Sequence, residues 1–264
     1  MLGIVQRAME QQERLLALTA ELKKALLHQL FTAGLRGEPQ KQTDIGPVPE
    51  SWEVAALENA GEVVYGIQAA VAANLKPTGT KILTNKNITL AGGFDLEKLN
   101  YFVLKTARHK ASVLQKGDLL FNWRSGSTQH VGKTALFDLD GEYTHSSFIL
   151  RIRPHDATTG RFLFYFLNYL RSSGYFVKRH SFSVNAKFNK SAINRLPTYL
   201  PEEGERREIV TVLDAVTRKI AVQQTKRQLL EDLFRTLLHQ LMTAQIRVDD
   251  LDLDELEQAT ATKE

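Results

Sequence analysis

The stretch Leu26-Leu27-His28-Gln29-Leu30 occurs a second time in this chain, as Leu237-Leu238-His239-Gln240-Leu241. When residues 22–36 are laid over residues 233–247, nine of the fifteen positions are identical. The offset of 211 residues is far longer than the roughly 20 to 50 residues of a stacked repeat. The repetition therefore predicts one middle domain between two related helices.

The second copy lies within the most regular helical pattern of the chain. Over residues 203–248, two mostly apolar rows alternate at spacings of three and four, which is the repeat of a coiled-coil seam. One row holds Ile209, Val216, Gln223, Leu230, Leu237 and Ala244, and the other holds Leu213, Ile220, Arg227, Phe234, Leu241 and Val248. Gln223 and Arg227 place polar groups in the middle of the seam, where they disfavour wrong registers. We therefore predict a long C-terminal coiled-coil helix, followed by an acidic tail over residues 249–264.

The first copy lies near the end of another predicted helix, which covers approximately residues 8–35 of an N-terminal segment of residues 1–44. One side of this helix is predicted to hold Leu15, Leu18, Leu22, Leu26 and Leu30. Gly34 and Gly37 follow, and glycine is the residue that most readily ends a helix in a left-handed conformation.

Composition limits the classes of protein that fit. Of the 264 residues, 43% are hydrophobic and 24% are charged, as in an ordinary globular protein. There is no cysteine, which excludes disulfides and thiolate metal sites. No apolar run approaches the roughly 20 residues of a membrane-spanning helix. We therefore expect a soluble, intracellular protein.

Positive charge is concentrated in the middle of the chain. Residues 51–200 hold 19 Lys and Arg against 10 Asp and Glu, a balance of +9, whereas residues 1–50 are neutral and residues 201–264 carry −5. A basic domain between neutral and acidic flanks is expected of a unit that binds a polyanion such as DNA. On charge alone, a basic surface that serves only solubility is the alternative.

The middle segment, residues 45–202, has the turns and short apolar runs of a β-rich domain. Its start, Gly46-Pro47-Val48-Pro49, is predicted to be extended, because a residue that precedes proline avoids the helical region. Strand-like runs follow at residues 52–57, 62–65, 81–83, 101–104, 118–122, 133–137 and 147–152, and residues 161–170 are predicted to be helical. The predicted fold class is α/β of the α+β type, with one mixed, mostly antiparallel domain flanked by long coiled-coil helices.

Three stretches of the chain carry recognisable motifs. They are GPVPESWEV at residues 46–54, KGDLLFNWRSGS at residues 116–127, and LPTYLPE at residues 196–202 leading into RREIV at residues 206–210. Together they resemble the specificity subunit of type I restriction-modification enzymes. The resemblance covers essentially the whole chain. Members of this family usually carry two target recognition domains, separated and followed by long helices. This chain has one such domain, so it is similar to a half-length form.

The resemblance implies a non-catalytic role in the prokaryotic cytoplasm. Such a subunit would recognise one half of a two-part double-stranded DNA target and dock the methylation subunit, and through it the restriction subunit. It would bind no cofactor itself, because S-adenosylmethionine and ATP with Mg²⁺ are expected on those partner subunits. A homodimer would supply a second recognition domain and read an interrupted palindrome, and pairing with a different half subunit is the alternative.

Candidate DNA contacts fall into two groups. The first follows an apolar strand and contains Arg, Asn and Gln, whose side chains pair with base edges. It consists of Asn122, Arg124, Ser125, Ser127, Gln129, His130 and Lys133. The second group is expected mainly to hold phosphates, and consists of Lys178, Arg179, His180, Asn185, Lys187 and Lys190. A solvated turn is the alternative for the first group.

The dimer or subunit interface is predicted on the two long helices. The predicted interface residues are Leu22, Leu26, Leu30, Ile209, Leu213, Val216, Ile220, Leu230, Phe234, Leu237 and Leu241.

The sequence predicts no catalytic or metal site. It contains no Gly-rich nucleotide-binding loop and no Asn/Asp-Pro-Pro-Tyr run of an amino-methyltransferase. His28 and His239 occupy equivalent helix positions, which favours packing over metal binding. The alternative function is a coiled-coil scaffold whose middle domain binds a protein, and the salt dependence of DNA binding distinguishes the two.

Overall fold

The computed structural model describes residues 2–68, 76, 78–181 and 188–243. Its two long helices are α1 at Leu2–Ala33 and α6 at Glu203–Met242. The strands between them are β1 (Gln40–Thr43), β2 (Gly46–Pro49), β3 (Glu53–Ala56), β4 (Gly61–Tyr65), β5 (Thr80–Leu83), β6 (Asn100–Phe102), β7 (Leu119–Asn122), β8 (Thr134–Leu136), β9 (Tyr143–His145), β10 (Ile149–Pro154) and β11 (Pro197–Leu200). The shorter helices are α2 (Ala107–Lys110), α3 (Ala157–Ser172), α4 (Tyr175–Ser181) and α5 (Lys190–Asn194).

The chain divides into two compact units. One contains residues up to Leu26 together with those from Leu213 onward, and the other contains residues 27–212. The predicted domain of residues 45–202 lies within the second unit. The predicted helix positions 244–248 and the acidic tail lie outside the described residues.

The larger unit is built on a four-stranded sheet with the order β4-β10-β7-β8, in which every pair is antiparallel. A three-stranded sheet has the order β6-β5-β9, and its β5–β9 pair is the one parallel pairing among the described strands. The prediction of a mixed, mostly antiparallel domain is confirmed. All four residues of β7 are buried, because β7 lies inside the sheet and both of its faces are covered.

Aromatic packing joins the end of α1 to helix α3. Phe31 lies 5.3 Å from Phe162 and 5.7 Å from Phe166, measured between ring centroids, and all three rings are buried. Trp52 packs edge-on against Phe31 at 6.4 Å. Helix α3 begins before the predicted residue 161 because Asp156 caps it, its carboxylate accepting a hydrogen bond from the backbone of Thr159 at 2.8 Å.

Helix α1 ends where its glycines predict. Gly34 and Gly37 have φ values of 64° and 60°, in the left-handed region. Glu205 at the start of α6 accepts a hydrogen bond from the backbone nitrogen of Leu35 at 3.0 Å. A Cβ at Gly34 would also crowd the Glu205 carboxylate, so Gly34 is required both for its conformation and for this contact.

The smaller unit is an antiparallel helix pair. Gln12 Nε2 donates a hydrogen bond to the backbone oxygen of Gln223 at 3.2 Å, and Arg227 forms an ion pair with Glu13 at 3.3 Å. The buried or half-buried positions of α6 include every described residue of the two predicted seam rows. Gln223 and Arg227 are therefore polar contacts of the seam, as their positions predict.

The packed face of α1 differs from the predicted one. Leu15, Leu18 and Leu22 are 47%, 53% and 50% exposed, whereas the polar residues Gln12 and Thr19 are buried. The packed row holds Val5, Met9, Gln12, Leu16, Thr19, Lys23, Leu26 and Leu30. The prediction followed the leucines, but hydrogen bonds to the backbone allow polar side chains to fill this face.

Candidate nucleic-acid interface

Three loops meet at one end of the four-stranded sheet. In this sheet β10 pairs with β4 so that Leu150 faces Tyr65, and with β7 so that Ile149 faces Asn122. Because both neighbours are antiparallel to β10, the loops that leave β4 and β7 lie beside the loop that enters β10. We call this end of the sheet the loop edge, and it comprises residues 65–68, 123–133 and 146–148.

Asn122 shapes the loop of residues 123–133 from inside the domain. Its side chain is fully buried, and Nδ2 donates a hydrogen bond to the carbonyl oxygen of His130 at 2.8 Å. The backbone nitrogen of Gly132 donates to the carbonyl oxygen of Asn122 at 2.8 Å. Asn122 is among the predicted DNA contacts, but its burial leaves it no surface for such a contact. Its role in the structure is to close the loop.

Lys133 is also internal, although a lysine is usually exposed. It is 4% exposed, and its Nζ donates to the carbonyl oxygens of Asn85 at 2.9 Å and Ile88 at 2.5 Å. Burial, followed by the charge of Arg171, lowers the pKa of Lys133 below its usual value. This predicted DNA contact therefore anchors the neighbouring loop instead of facing solvent.

The exposed surface of the loop edge combines cations with aromatic rings. Arg124 is exposed, and its guanidinium carbon lies 5.6 Å from the centroid of the Phe148 ring. Trp123 Nε1 donates a hydrogen bond to the carbonyl oxygen of Ser147 at 2.7 Å, and the Trp123 ring lies edge-on to Tyr65 at 5.6 Å. All three loops are thus in contact with one another at this end of the sheet.

The other predicted contacts of this loop lie on its surface. Ser127 and Gln129 are exposed, and Ser125 and His130 are half-buried. The backbone nitrogen of Ser127 donates to Ser125 Oγ at 3.3 Å. The run is therefore a structured loop with polar side chains available to a partner.

Helix α4 packs against the same loop. Phe176 lies 5.3 Å from Phe121 of β7, between ring centroids. Gly132 has a φ of +85°, and a Cβ at this position would collide with the Phe176 ring. The structure thereby brings the first predicted group of DNA contacts next to the second, which begins on α4.

The cations Lys178 and Arg179 of α4 differ in exposure. Lys178 is exposed. Arg179 forms an ion pair with Asp44 at 2.7 Å and lies 3.9 Å from the centroid of the Tyr175 ring, where burial raises the pKa of the Tyr175 hydroxyl to about 12. Arg179 is therefore half-exposed, and its guanidinium is already paired with Asp44 and Tyr175 of the same domain. The predicted residues Asn185 and Lys187, and the side chain of His180, lie outside the described part of the chain.

Lys190 lies at a cavity of about 250 Å³ beside the loop edge. The cavity is also lined by Gly66, Gln68, Arg108, His109 and Ser112. The backbone nitrogen of Lys190 donates to the Tyr65 hydroxyl at 3.0 Å, so Tyr65 lies between this cavity and Trp123. The cavity extends the cationic surface of the loop edge to Arg108.

Tyr65, Arg108 and Phe148 were not identified from the sequence. Tyr65 and Phe148 lie far along the chain from the Arg- and Gln-containing run, and strand pairing brings them to the same end of the sheet as Arg124. Arg108 lies in the basic run of α2 and reaches the site by lining the same cavity as Lys190. A prediction of the β4-β10-β7 order would have located Tyr65 and Phe148, but not Arg108.

The predicted interface residues are mostly used within the chain. Leu30, Ile209 and Leu213 are 4%, 0% and 0% exposed, so they are closed to a partner. Those that are half-buried are Leu26, Val216, Ile220, Leu230, Phe234, Leu237 and Leu241. Leu22 is 50% exposed. Helix α1 therefore covers part of the seam of α6, and the half-buried residues keep some exposed surface.

Membrane spans and metal sites are both absent from the described ranges of the chain. None of the helices in these ranges has both the length and the apolar character needed to cross a bilayer. No group of three or more His, Asp or Glu side chains in the same ranges is arranged to hold a metal ion.

Solved structures with the same architecture define the class of fold. The HsdS subunit from Thermoanaerobacter tengcongensis matches with a TM-score of 0.57 at 18% identity, covering 90% of this chain and 54% of that one. The S subunit of a type I restriction-modification system from M. genitalium matches with a TM-score of 0.61 at 13% identity, covering 90% and 57%. These likenesses show that the fold is that of the S subunits.

Sequence comparison gives the family. The family described as "Type I restriction modification DNA specificity domain" matches residues 49–232. A curated protein of Methanocaldococcus jannaschii, named "Putative type I restriction enzyme MjaX specificity subunit", is 26% identical over 208 residues, which are 77% of this chain and 48% of that protein. The chain belongs to the type I restriction-modification DNA specificity family, and it spans about half the length of this relative.

Proposed function

We propose that this chain recognises one half of a two-part double-stranded DNA target through its loop edge. The observation that supports this proposal is the meeting of three loops at one end of the sheet, with the exposed Arg124 and Gln129 on one of them and the cations Arg108 and Lys190 at the adjacent cavity. Loops carried by a rigid sheet are common binding sites, because they vary without disturbing the core. Membership of the DNA specificity family supports the choice of DNA.

The side chains divide by chemistry into those that read bases and those that hold phosphates. Arg124 has the fork of donors that fits guanine, and the amide of Gln129 fits adenine. Ser125, Ser127 and His130 complete this group. The exposed Lys178 and Arg108 and the half-buried Lys190 hold phosphates, since cations near the DNA backbone contribute affinity without sequence preference. Asn122 and Lys133 are outside the contact set because both are buried.

The salt dependence of binding tests the phosphate group. Fluorescence anisotropy with a random-sequence duplex gives the slope of log affinity against log salt concentration, and each phosphate that the protein neutralises adds roughly 0.9 to the steepness of this slope. We expect Arg108→Gln, Lys178→Gln and Lys190→Gln each to flatten it. The control is Lys116→Gln, whose side chain is 65% exposed and lies before β7, at the opposite end of that strand. Equal slopes in all four variants would place the phosphate contacts elsewhere.

Arg124→Ala separates base reading from phosphate holding. If Arg124 contacts a guanine edge, its removal lowers affinity for the recognised sequence by about 1 to 3 kcal/mol and leaves affinity for random DNA nearly unchanged. An equal decrease on both duplexes would make Arg124 a phosphate contact.

The competing function is a coiled-coil scaffold whose middle domain binds a protein. Binding to a random duplex that weakens steeply between low and moderate salt favours DNA recognition over this function. The same anisotropy titration with the unmodified chain, alone and with its methylation subunit, therefore decides between the two functions.

Methylation and restriction would be carried out by other subunits. We propose that the chain itself is non-catalytic and acts in the prokaryotic cytoplasm, where it docks a methylation subunit that binds S-adenosylmethionine. A restriction subunit that uses ATP and Mg²⁺ would join through the methylation subunit. Copurification of the tagged chain with each subunit tests this order of assembly.

A second recognition domain is needed to complete a two-part site. We propose that a second copy of this chain supplies it, giving a two-fold dimer and an interrupted palindrome as target. The exposed leucines of the helix pair, Leu15, Leu18 and Leu22 on α1 with Leu229 and Leu233 on α6, are surfaces that a second pair of helices would cover. Pairing with a different half subunit is the alternative.

A further inference from the structure

Phe148 is the one exposed phenylalanine in the part of the chain that the structure describes, with 41% of its surface exposed. The next residue, Ile149, is fully buried at the start of β10. The turn before β10 therefore directs the Phe148 ring outward. Single exposed apolar residues are common on protein surfaces, but this ring lies within the loop edge.

One hydrogen bond fixes Phe148 next to Arg124. Trp123 Nε1 donates to the carbonyl oxygen of Ser147 at 2.7 Å, and Arg124 and Phe148 are the residues that follow those two. The guanidinium carbon of Arg124 lies 5.6 Å from the centroid of the Phe148 ring, within the range of a cation–π contact. This contact favours one arrangement of the two side chains before any ligand binds, which lowers the entropic cost of binding.

The pair combines a hydrogen-bond donor and an apolar group, which contact different base pairs in the major groove. A guanidinium donates to the O6 and N7 acceptors of guanine, and the 5-methyl group of thymine accepts apolar contacts, including those from phenylalanine. The separation of 5.6 Å is shorter than two base steps of about 3.4 Å each. When Arg124 contacts one base pair, the Phe148 ring is thus close enough to contact an adjoining pair.

We propose that Arg124 and Phe148 act as one reading unit for a guanine adjoining a thymine, with Phe148 in contact with the thymine methyl group. This assignment rests on the proposed function, since it names what the loop edge recognises. It makes Phe148 a specificity residue, and it requires the recognised half-site to contain a T·A pair next to a G·C pair.

The first test is the identity of the half-site. Methylome sequencing of cells that express the full chain with its methylation subunit gives the recognised sequence. A half-site without a thymine next to a guanine would overturn the proposal, although the chain would still be a DNA specificity subunit.

The second test removes the methyl group alone. Duplexes with the recognised sequence are made with thymidine and with deoxyuridine at the proposed position, and anisotropy gives the affinity of the full chain with its methylation subunit. We expect deoxyuridine to weaken binding about fourfold, the cost of removing one buried methyl group. Phe148→Ala should weaken binding to the thymidine duplex and make the two duplexes equivalent. Phe148→Leu, which stays apolar, should retain part of the preference.

Leu90→Ala is the matched control, because Leu90 is 50% exposed and lies outside the loop edge. It should bind the two duplexes with the same fourfold difference as the unmodified chain. Thermal melting of each variant tests whether the fold is intact. Because the Phe148 ring is exposed, we expect its substitution to leave the melting temperature nearly unchanged. Equal affinity of the unmodified chain for both duplexes would overturn the reading unit. Absence of sequence-specific binding by the unmodified chain would instead overturn the proposed function.

Discussion

At the residue scale, Asp118 connects three parts of the middle domain. Its side chain is 1% exposed, and its oxygens accept hydrogen bonds from Arg153 Nε at 2.7 Å and Nη2 at 2.8 Å. It also accepts from the backbone nitrogen of Gln115 at 2.7 Å. This two-point arrangement is the strongest geometry for an arginine and a carboxylate, and it raises the pKa of Arg153 above its usual value.

Asp118→Ala should destabilise the chain strongly, because it leaves Arg153 and a backbone amide without their partner. We expect a decrease of about 3 kcal/mol in the free energy of unfolding, near the lower end for a buried pair, since Arg153 retains access to water. Urea denaturation measures the decrease. Asp140→Ala is the control, because Asp140 also pairs with a cation, Lys116, but is 93% exposed. A similar decrease in both variants would contradict a special role for Asp118.

His145 predicts a dependence of stability on pH. Burial, followed by the charge of Arg151, lowers the pKa of His145 from 6.5 to about 4. Between these two values the unfolded chain binds a proton that the folded chain does not, so stability must fall as the pH falls from 6.5 towards 4. The decrease from this group is roughly 3 kcal/mol at most.

Urea denaturation between pH 4.5 and 7.5 measures this effect. His145→Gln should flatten the curve over this interval, because no titrating group remains at the buried position. His130→Gln, at a half-buried residue of the loop edge, is the control and should keep the slope of the unmodified chain. An unchanged slope in His145→Gln would assign the effect to other groups.

Residue types alone identified part of the candidate site. Arg124, Gln129 and Lys178 are exposed where a polar run predicts. Asn122 and Lys133 belong to the same run but are buried, because their hydrogen-bonding capacity is used to close the loop and to anchor its neighbour. A sequence pattern gives the donors but not the direction in which they point, and that direction depends on strand pairing.

At the scale of elements, periodicity predicted α6 well and the contact face of α1 poorly. The seam of α6 is regular in apolar residues, whereas the packed face of α1 contains Gln12, Thr19 and Lys23. The side chain of Gln12 donates a hydrogen bond to a backbone oxygen of α6, and the hydroxyl of Thr19 donates to the backbone oxygen of Leu15. Burial lowers the pKa of Lys23. Such compensation arises only in the folded pair, so hydrophobicity alone favoured the leucines on the wrong side.

All seven predicted strand-like runs overlap strands, whereas β1, β9 and β11 were not predicted. The predicted runs at residues 62–65, 81–83 and 118–122 correspond to β4, β5 and β7. The missed strand β1 has the sequence Gln-Lys-Gln-Thr and alternates between exposed and half-buried positions. Its extended form depends on pairing with β2, which no local preference in its own four residues indicates.

The junction between the loop edge and α4 depends on a glycine. Gly132→Ala should cost about 1 to 3 kcal/mol for a residue forced to a positive φ, and the new Cβ also displaces the Phe176 ring. Thermal denaturation measures the change. Gly126→Ala, in the same loop, should have little effect, because its Cβ meets no atom within 4 Å and its φ is not positive. Equal effects of the two substitutions would show that the packing of α4 on the loop is unimportant for stability.

At the scale of the whole molecule, the exposed leucines of the helix pair predict an association. Leu18→Asp together with Leu22→Asp should convert a dimer into a monomer in light scattering, because both side chains are about half exposed, at 53% and 50%. Loss of the dimer should abolish binding to a two-part DNA site, while weak binding to random duplex remains. Leu90→Asp, at an equally exposed leucine of the middle domain, is the control.

Light scattering of the unmodified chain distinguishes a second copy of this chain from a different half subunit as the partner. A monomer in light scattering, even with the methylation subunit and DNA present, would exclude the homodimer and favour a different half subunit. A dimer that survives the double substitution would place the interface elsewhere, and the half-buried Leu237 and Leu241 would then be the next residues to change.

The pairing of β3 with β11 has a consequence for how such chains acquire new targets. Strand β3 follows β2 near the start of the middle domain, β11 lies near its end, and Val54 faces Tyr199 across an antiparallel ladder. The two points where the chain enters and leaves the fold are therefore adjacent, which is the arrangement that tolerates domain insertion. Gene recombination that exchanges the coding sequence between these two strands would replace the whole reading surface in one event while leaving both flanking helices unaltered. If the loop edge reads DNA as proposed, new specificity would arise by exchange of this segment, without many separate point mutations.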